Sequence, residues 1–261
     1  MSMNEFAVEP TDPRFNPAPS LITLCNAFCG FASIVYAIAS YARGEAPPTA
    51  CIWLLLGSLL FDTIDGLVAR ALHASSIHGG QLDSLSDAIS FGAAPAVAIF
   101  VFISRGANHT PAAIALIWGV ALFYLGCTLW RLARYNTKSI LGMKDEDCFE
   151  GLPSPAAACL IYSTGIFLPT IGLGPHLLFS FSLGFTLLAG VLMVSRIPYP
   201  HVSRYVSGES RRLSAVFASV VVGSVVLFRS SAPIICAYVY FLIAPLVELQ
   251  MRHSTEDPSQ A

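Results

Sequence analysis

Residues 59–70 read LLFDTIDGLVAR and residues 79–91 read GGQLDSLSDAISF. Four carboxylates, Asp62, Asp65, Asp83 and Asp87, thus fall within 26 residues of otherwise apolar chain. A carboxylate at the centre of a membrane helix costs roughly 2.5–3.5 kcal/mol, so this grouping demands a compensating partner. Asp62 and Asp65 are spaced i, i+3 and share a helix face, while Asp83 and Asp87 are spaced i, i+4 with Gly79 one turn earlier on the same stripe. Two antiparallel helices joined by a short loop bring all four together, and that many like charges do not stay ionised at close range without a cation. Oxygen-only ligands favour a hard divalent ion such as Mg2+, Mn2+ or Ca2+ over zinc. Gly66 and Gly79 each lie one turn from an aspartate and leave room for a ligand to approach the backbone. Arg70 supplies a positive group suited to a phosphate. A proton or cation pathway also places aspartates in helices, but it has no need of these glycines or of Arg70.

The surroundings of the four aspartates decide the class. The chain has 261 residues, 55% hydrophobic and 11% charged, against about 25% charged in an ordinary soluble domain. Mean hydropathy is +0.66, which points to an integral membrane protein. A formal net charge of -2 argues against nucleic acid as a partner. Continuous apolar runs of roughly 20 residues predict helices that cross a bilayer rather than strands. Eight are expected, at 21–42, 49–72, 82–104, 111–130, 155–174, 176–195, 213–229 and 232–250. Prolines such as Pro19, Pro111, Pro153, Pro155, Pro198 and Pro200 punctuate their ends. With both termini cytoplasmic, eleven basic residues lie inside and only Arg43, Arg105 and Arg229 outside, as the positive-inside bias requires. The fold expected is an all-α, polytopic membrane helix bundle of about eight transmembrane helices. The loop between its second and third helices then faces the cytoplasm.

The seven cysteines are odd in number, irregularly spaced and mostly within apolar runs, so reduced thiols are expected. Cys25 and Cys29 share a helix face without a histidine or second cysteine pair nearby, which favours packing over metal binding. The polar, proline-rich N-terminus reads as a tail and not as a cleaved signal peptide.

The segment running from Asp62 through Gly66, Ala69 and Arg70 to Gly79, Asp83 and Asp87 resembles the signature of the CDP-alcohol phosphotransferase family, D-x2-D-G-x2-A-R-x8-G-x3-D-x3-D. Every fixed position and both gaps match. PSLITLCNAFCGF (19–31), LDSLSDAISFGAAPA (82–96), RLARYN (131–136), GLPSPAAA (151–158) and MVSRIPYP (193–200) are similar to segments of its membrane-type phosphatidylserine synthase branch. The resemblance divides the chain into a tail (1–18), a six-helix core (19–200), two additional transmembrane helices (201–250) and a second tail (251–261).

The resemblance implies transfer of a phosphatidyl group from CDP-diacylglycerol to L-serine, with release of CMP and dependence on two Mg2+ or Mn2+ ions. It implies that Asp62, Asp65 and Asp83 are metal ligands, and that Asp87 is both ligand and catalytic base. Asp62, Gly66, Ala69, Arg70 and Gly79 then line the CDP site. Other acceptors within the family are glycerol 3-phosphate, an inositol phosphate or choline. A homodimer in the cell (inner) membrane, with its active site on the cytoplasmic side, also follows from the resemblance and the charge bias.

Around that centre several residues have two readings. Arg131 and Arg134, expected where the fourth helix emerges into a cytoplasmic loop, either clamp the serine carboxylate together with Asn136 or snorkel as ordinary cytoplasmic arginines. Residues 151–158 either present helix N–H groups to an anion or form a helix start capped by Ser154. Asn26 bonds either a phosphate of CDP or another helix. Ser84, Ser86 and Ser90 are expected to hydrogen-bond between helices. The acidic run Asp145, Glu146, Asp147 and Glu150 reads as a solvated loop face.

Overall fold

The computed structural model describes residues 17–45, 49–72, 77–104, 110–140, 148–167, 172 and 174–200. They form α1 (Pro17–Ala42), α2 (Ala50–Ala71), α3 (Ile77–Asp87), a π-helical segment (Ala88–Ala93), α4 (Ala94–Ser104), α5 (Pro111–Ile140), α6 (Ser154–Phe167) and α7 (Pro175–Val194). Two three-residue strands, β1 (Cys148–Glu150) and β2 (Pro198–Pro200), pair antiparallel with Glu150 opposite Pro198.

Five of these stretches are long and apolar enough to cross a membrane: Pro19–Ala42, Ala50–Ala69, His78–Ser104, Pro111–Lys138 and Pro175–Val194. Of the fifth expected span, 155–174, the described residues form α6 as far as Phe167. The expected spans at 213–229 and 232–250, and both tails apart from residues 17 and 18, lie outside the described residues. Two boundaries also move. The third helix starts at Ile77, five residues before its apolar run, and the fourth continues ten residues past 130 to Ile140. The short strand pair was not anticipated.

The continuous stretch from α3 through α4 is the most buried of the spans and forms the axis of the bundle. Lipid is as apolar as leucine, so close packing and internal hydrogen bonds hold such helices together. Small Ala94, Ala96 and Ala98 let neighbouring backbones approach α4. On one side Ile99 and Ile103 pack with Ile117, Tyr124 and Leu160 of α5 and α6. On the other, Phe91, Ala98 and Val101 pack with Ala37, Leu55 and Tyr162. A side-chain carbon at Gly30 would lie 2.6 Å from the Ser90 backbone, so glycine is what permits α1 to touch the π segment. Phe28, Trp53 and Trp130 face outward, as lipid-facing residues do.

Several polar groups of the core are paired between helices. Ser33 and Tyr162 hydroxyls lie 2.7 Å apart, and the Cys51 thiol donates to the Ser33 carbonyl at 3.6 Å, joining α1, α2 and α6. Tyr124 Oη donates to the Phe91 carbonyl at 2.8 Å, satisfying a backbone acceptor inside the π segment. Among the described residues Cys25, Cys29, Cys51, Cys127 and Cys159 form no disulfide.

Candidate functional site

α2 supplies Asp62 and α3 supplies Asp83 and Asp87, and one carboxylate oxygen from each lies within 4.8 Å of the others. The Asp62 and Asp87 carboxyls are within hydrogen-bonding reach. An ion coordinated at roughly 2.0–2.6 Å spans opposed oxygens about 4–5 Å apart, so the donor set matches a hard divalent cation in both chemistry and size.

Asp65 stands apart from that trio. It lies one turn along α2 from Asp62, is buried, and its Oδ2 has no hydrogen-bond partner among the described residues. The Thr23 hydroxyl of α1 lies beside its carboxyl. An orphaned carboxylate oxygen at such depth fits a second cation better than it fits a packing role.

Gly66 and Ala69 are half-buried on the same stripe as Asp62 and Asp65, and Gly79 is half-buried one turn before Asp83. Arg70 continues α2, with its side chain outside the described set. Asn26 is buried on α1, and its Nδ2 donates to Asp87 Oδ1 at 3.2 Å. The three serines of the third span all bond between helices. Ser84 Oγ donates to Asn136 Oδ1 at 2.8 Å, Ser86 Oγ to the Thr23 carbonyl at 3.0 Å and Ser90 Oγ to the Asn26 carbonyl at 2.9 Å.

The two arginines of RLARYN have different surroundings. Both lie inside α5 rather than where a helix gives way to a loop. Arg131 is only 8% exposed; its Nη1 donates to Ser154 Oγ at 2.9 Å, and its charge acts on Asp62. It is therefore a buried cation at the edge of the acidic cluster. The Ser154 hydroxyl, expected as a helix cap, instead receives this arginine at the first residue of α6. Arg134 turns away from the aspartates toward main-chain carbonyls. It donates to Val194 and Glu150 carbonyls at 3.0 Å each and to the Ser195 carbonyl at 3.4 Å.

Those bonds lock a junction below the site. Gly151 N–H donates to the Ile197 carbonyl at 2.8 Å and Leu152 N–H to the Leu192 carbonyl at 3.0 Å. Gly151 has φ +80°, and a side-chain carbon there would meet the Met193 carbonyl oxygen at 2.5 Å. Lys138 pairs with Glu150 across the same junction. Glu150 is therefore ion-paired rather than simply solvated, while Asp145, Glu146 and Asp147 lie outside the described residues. The sequence signals for Ser154 and Ser84 were present, one in the GLPSP turn and the other between two aspartates. Their partners were not legible, because those partners lie on α5.

The groups described above gather toward one end of the bundle: the first halves of α1, α6 and the continuous α3–α4 span and the ends of α2, α5 and α7. The opposite end holds the exposed Arg43–Glu45 pair.

A sequence model described as CDP-alcohol phosphatidyltransferase matches residues 17–197. A Helicobacter pylori (strain J99) protein named CDP-diacylglycerol–serine O-phosphatidyltransferase is 35% identical over 190 residues, covering 71% of this chain and 73% of the relative. An archaetidylserine synthase of Methanothermobacter thermautotrophicus is 36% identical over 194 residues, covering 72% and 71%. A Saccharomyces cerevisiae protein carrying the same name as the Helicobacter relative is 38% identical over 147 residues, covering 54% and 50%.

Proposed function

Because this chain belongs to the CDP-alcohol phosphatidyltransferase family, we propose that it transfers the phosphatidyl group of CDP-diacylglycerol to the hydroxyl of L-serine, releasing CMP. The observation that carries the proposal is the convergence of Asp62, Asp83 and Asp87 from two helices onto one point. The names of its bacterial, archaeal and yeast relatives support serine as the acceptor.

In this reading Asp62, Asp65, Asp83 and Asp87 hold two divalent ions, Mg2+ or Mn2+. Such ions supply positive charge against the pyrophosphate and the departing CMP. Gly66, Ala69 and Gly79 leave the space that the nucleotide occupies, and Arg70 supplies positive charge for its phosphates. The serine oxygen attacks the lipid-side phosphorus, the bond from that phosphorus to the CMP oxygen breaks, and the hydroxyl proton passes to Asp87. Arg131 takes the serine carboxylate, its buried position being supported by Ser154. Asn136, fixed by Ser84, offers its remaining amide N–H groups to the same ligand. Arg134, also expected to bind serine, has its guanidinium engaged with three carbonyls, so its contribution to the acceptor site is placement of the α6 start.

The enzyme is an integral membrane protein. We place the acidic end at the cytoplasmic face of the cell (inner) membrane, with eight spans, both termini inside and a homodimeric assembly. Acyl chains then stay in lipid while nucleotide and serine arrive from water.

The test is CMP release by detergent-purified protein given CDP-diacylglycerol, labelled serine and Mn2+. Serine-dependent release that Asp87→Asn abolishes, with nucleotide binding retained, is expected. Release with glycerol 3-phosphate, an inositol phosphate or choline but not with serine would overturn the acceptor and leave the reaction class standing.

A further inference from the structure

Asn26 has no exposed surface, and its side chain is only half satisfied. Its backbone carbonyl accepts Ser58 Oγ of α2 at 3.2 Å and Ser90 Oγ of the π segment at 2.9 Å. Its Nδ2 donates to Asp87 Oδ1 at 3.2 Å. Its Oδ1 is buried without a hydrogen-bond partner among the described residues.

An unpaired buried amide oxygen costs roughly 1–3 kcal/mol, so packing alone disfavours asparagine at this position. The two serine bonds reach the main chain and are indifferent to the side chain. They fix residue 26 against both neighbouring helices and thereby aim its amide at Asp87. The geometry points to Asn26 as the positioning residue of Asp87: its amide sets the rotation of that carboxylate relative to Asp62 and Asp83. This rests on the reading of the three carboxylates as an ion site. It differs from the phosphate-binding role otherwise considered for Asn26, since the contact is with the carboxylate itself.

The full chain in detergent is compared with Asn26→Leu, which is nearly the same size, and Asn26→Ala, which is smaller. Both retain the main-chain carbonyl that Ser58 and Ser90 use. The readouts are Mn2+ binding followed by the paramagnetic resonance of the free ion, the unfolding midpoint, and CMP release. Residues that orient metal ligands are worth roughly 10–100-fold in metal affinity or activity, and a loss of that size in Mn2+ affinity is expected. kcat falls alongside it, while the KM for serine stays within about threefold and the unfolding midpoint holds. A folded variant that binds Mn2+ and turns over like the parent overturns the inference. Failure of both variants to fold would make Asn26 a structural residue and overturn it equally. A parent that binds no Mn2+ removes the ion site and this role together. A parent that binds Mn2+ but ignores serine overturns the acceptor assignment alone.

Discussion

Arg134→Gln separates a structural clamp from a substrate ligand. The guanidinium makes two bonds of 3.0 Å, to Val194 and Glu150 carbonyls, and a longer one of 3.4 Å to Ser195. Hydrogen bonds to charged groups contribute about 1.5–3 kcal/mol each. The long contact adds little, and the half-exposed site lets water reach the released carbonyls, so a net loss of about 2–3 kcal/mol is expected. The C-terminal carbonyls of α7 also lose a favourable cation, worth about 0.3–1 kcal/mol at most exposed sites. For a chain of this size each kcal/mol moves the midpoint by roughly 2–4 °C, giving a fall of about 5–10 °C. A thiol-reactive fluorophore provides the assay, because Cys51 and Cys127 are buried free thiols that unfolding exposes. Turnover below the new midpoint should persist with the KM for serine changed by less than about threefold. An unchanged midpoint with a serine KM raised tenfold or more would refute the clamp and restore Arg134 as a substrate ligand.

Three further outcomes are expected. Ala69→Leu fills the stripe that Asp62, Asp65 and Gly66 share, and should abolish CDP-diacylglycerol turnover while leaving Mn2+ binding within about threefold; retained turnover would remove Ala69 from the nucleotide site. Ser154→Ala strips Arg131 of its hydroxyl partner and should raise the KM for serine by roughly tenfold, a loss near 1.4 kcal/mol, with the KM for CDP-diacylglycerol little changed. Lys138→Ala should lower the unfolding midpoint in a pH-dependent way. The Lys138 hydrogen bond holds the Glu150 carboxyl below its ordinary value of 4.5. The folded value thus lies below the unfolded one, so the pair stabilises above pH 4.5 and that stabilisation fades as pH drops through the folded value. Midpoints of parent and variant should differ at pH 7 and converge in acid; a gap that widens in acid would contradict the assignment. The effect is small, since both side chains are 35% exposed.

The carboxylates were legible because charge inside an apolar run is costly and helical spacing says which charges share a face. Convergence of Asp62, Asp83 and Asp87 follows from that alone. What hydropathy measures, however, is membrane and not helix. Gly79, Gly80 and Gln81 depress the score at the start of α3, and RLARYNTKSI does the same at the end of α5, yet no helix breaker interrupts the latter. Both helices project past their apolar runs, and those projections carry much of the site. The role of Arg134 was hidden for another reason. Its partners are main-chain carbonyls, which every residue possesses and no sequence pattern distinguishes. Asp65 shows the limit of periodicity: i, i+3 places it on the face of Asp62 but leaves it outside the closest cluster.

The π segment gives the central helix a phase shift between its two duties. A π turn holds nearly one residue more than an α turn, and each α-helical residue turns the chain by about 100°. Rewinding Ala88–Ala93 as ordinary helix with no residue removed would leave a hydropathy plot unchanged. It would swing the Asp83–Asp87 stripe about 100° away from α2 while Ile99 and Ile103 stayed seated against α5. Removing one residue at the same time would restore the phase, because the π turn absorbs its extra residue within a single turn, so it is the winding of this short window that keeps the carboxylates aimed at α2.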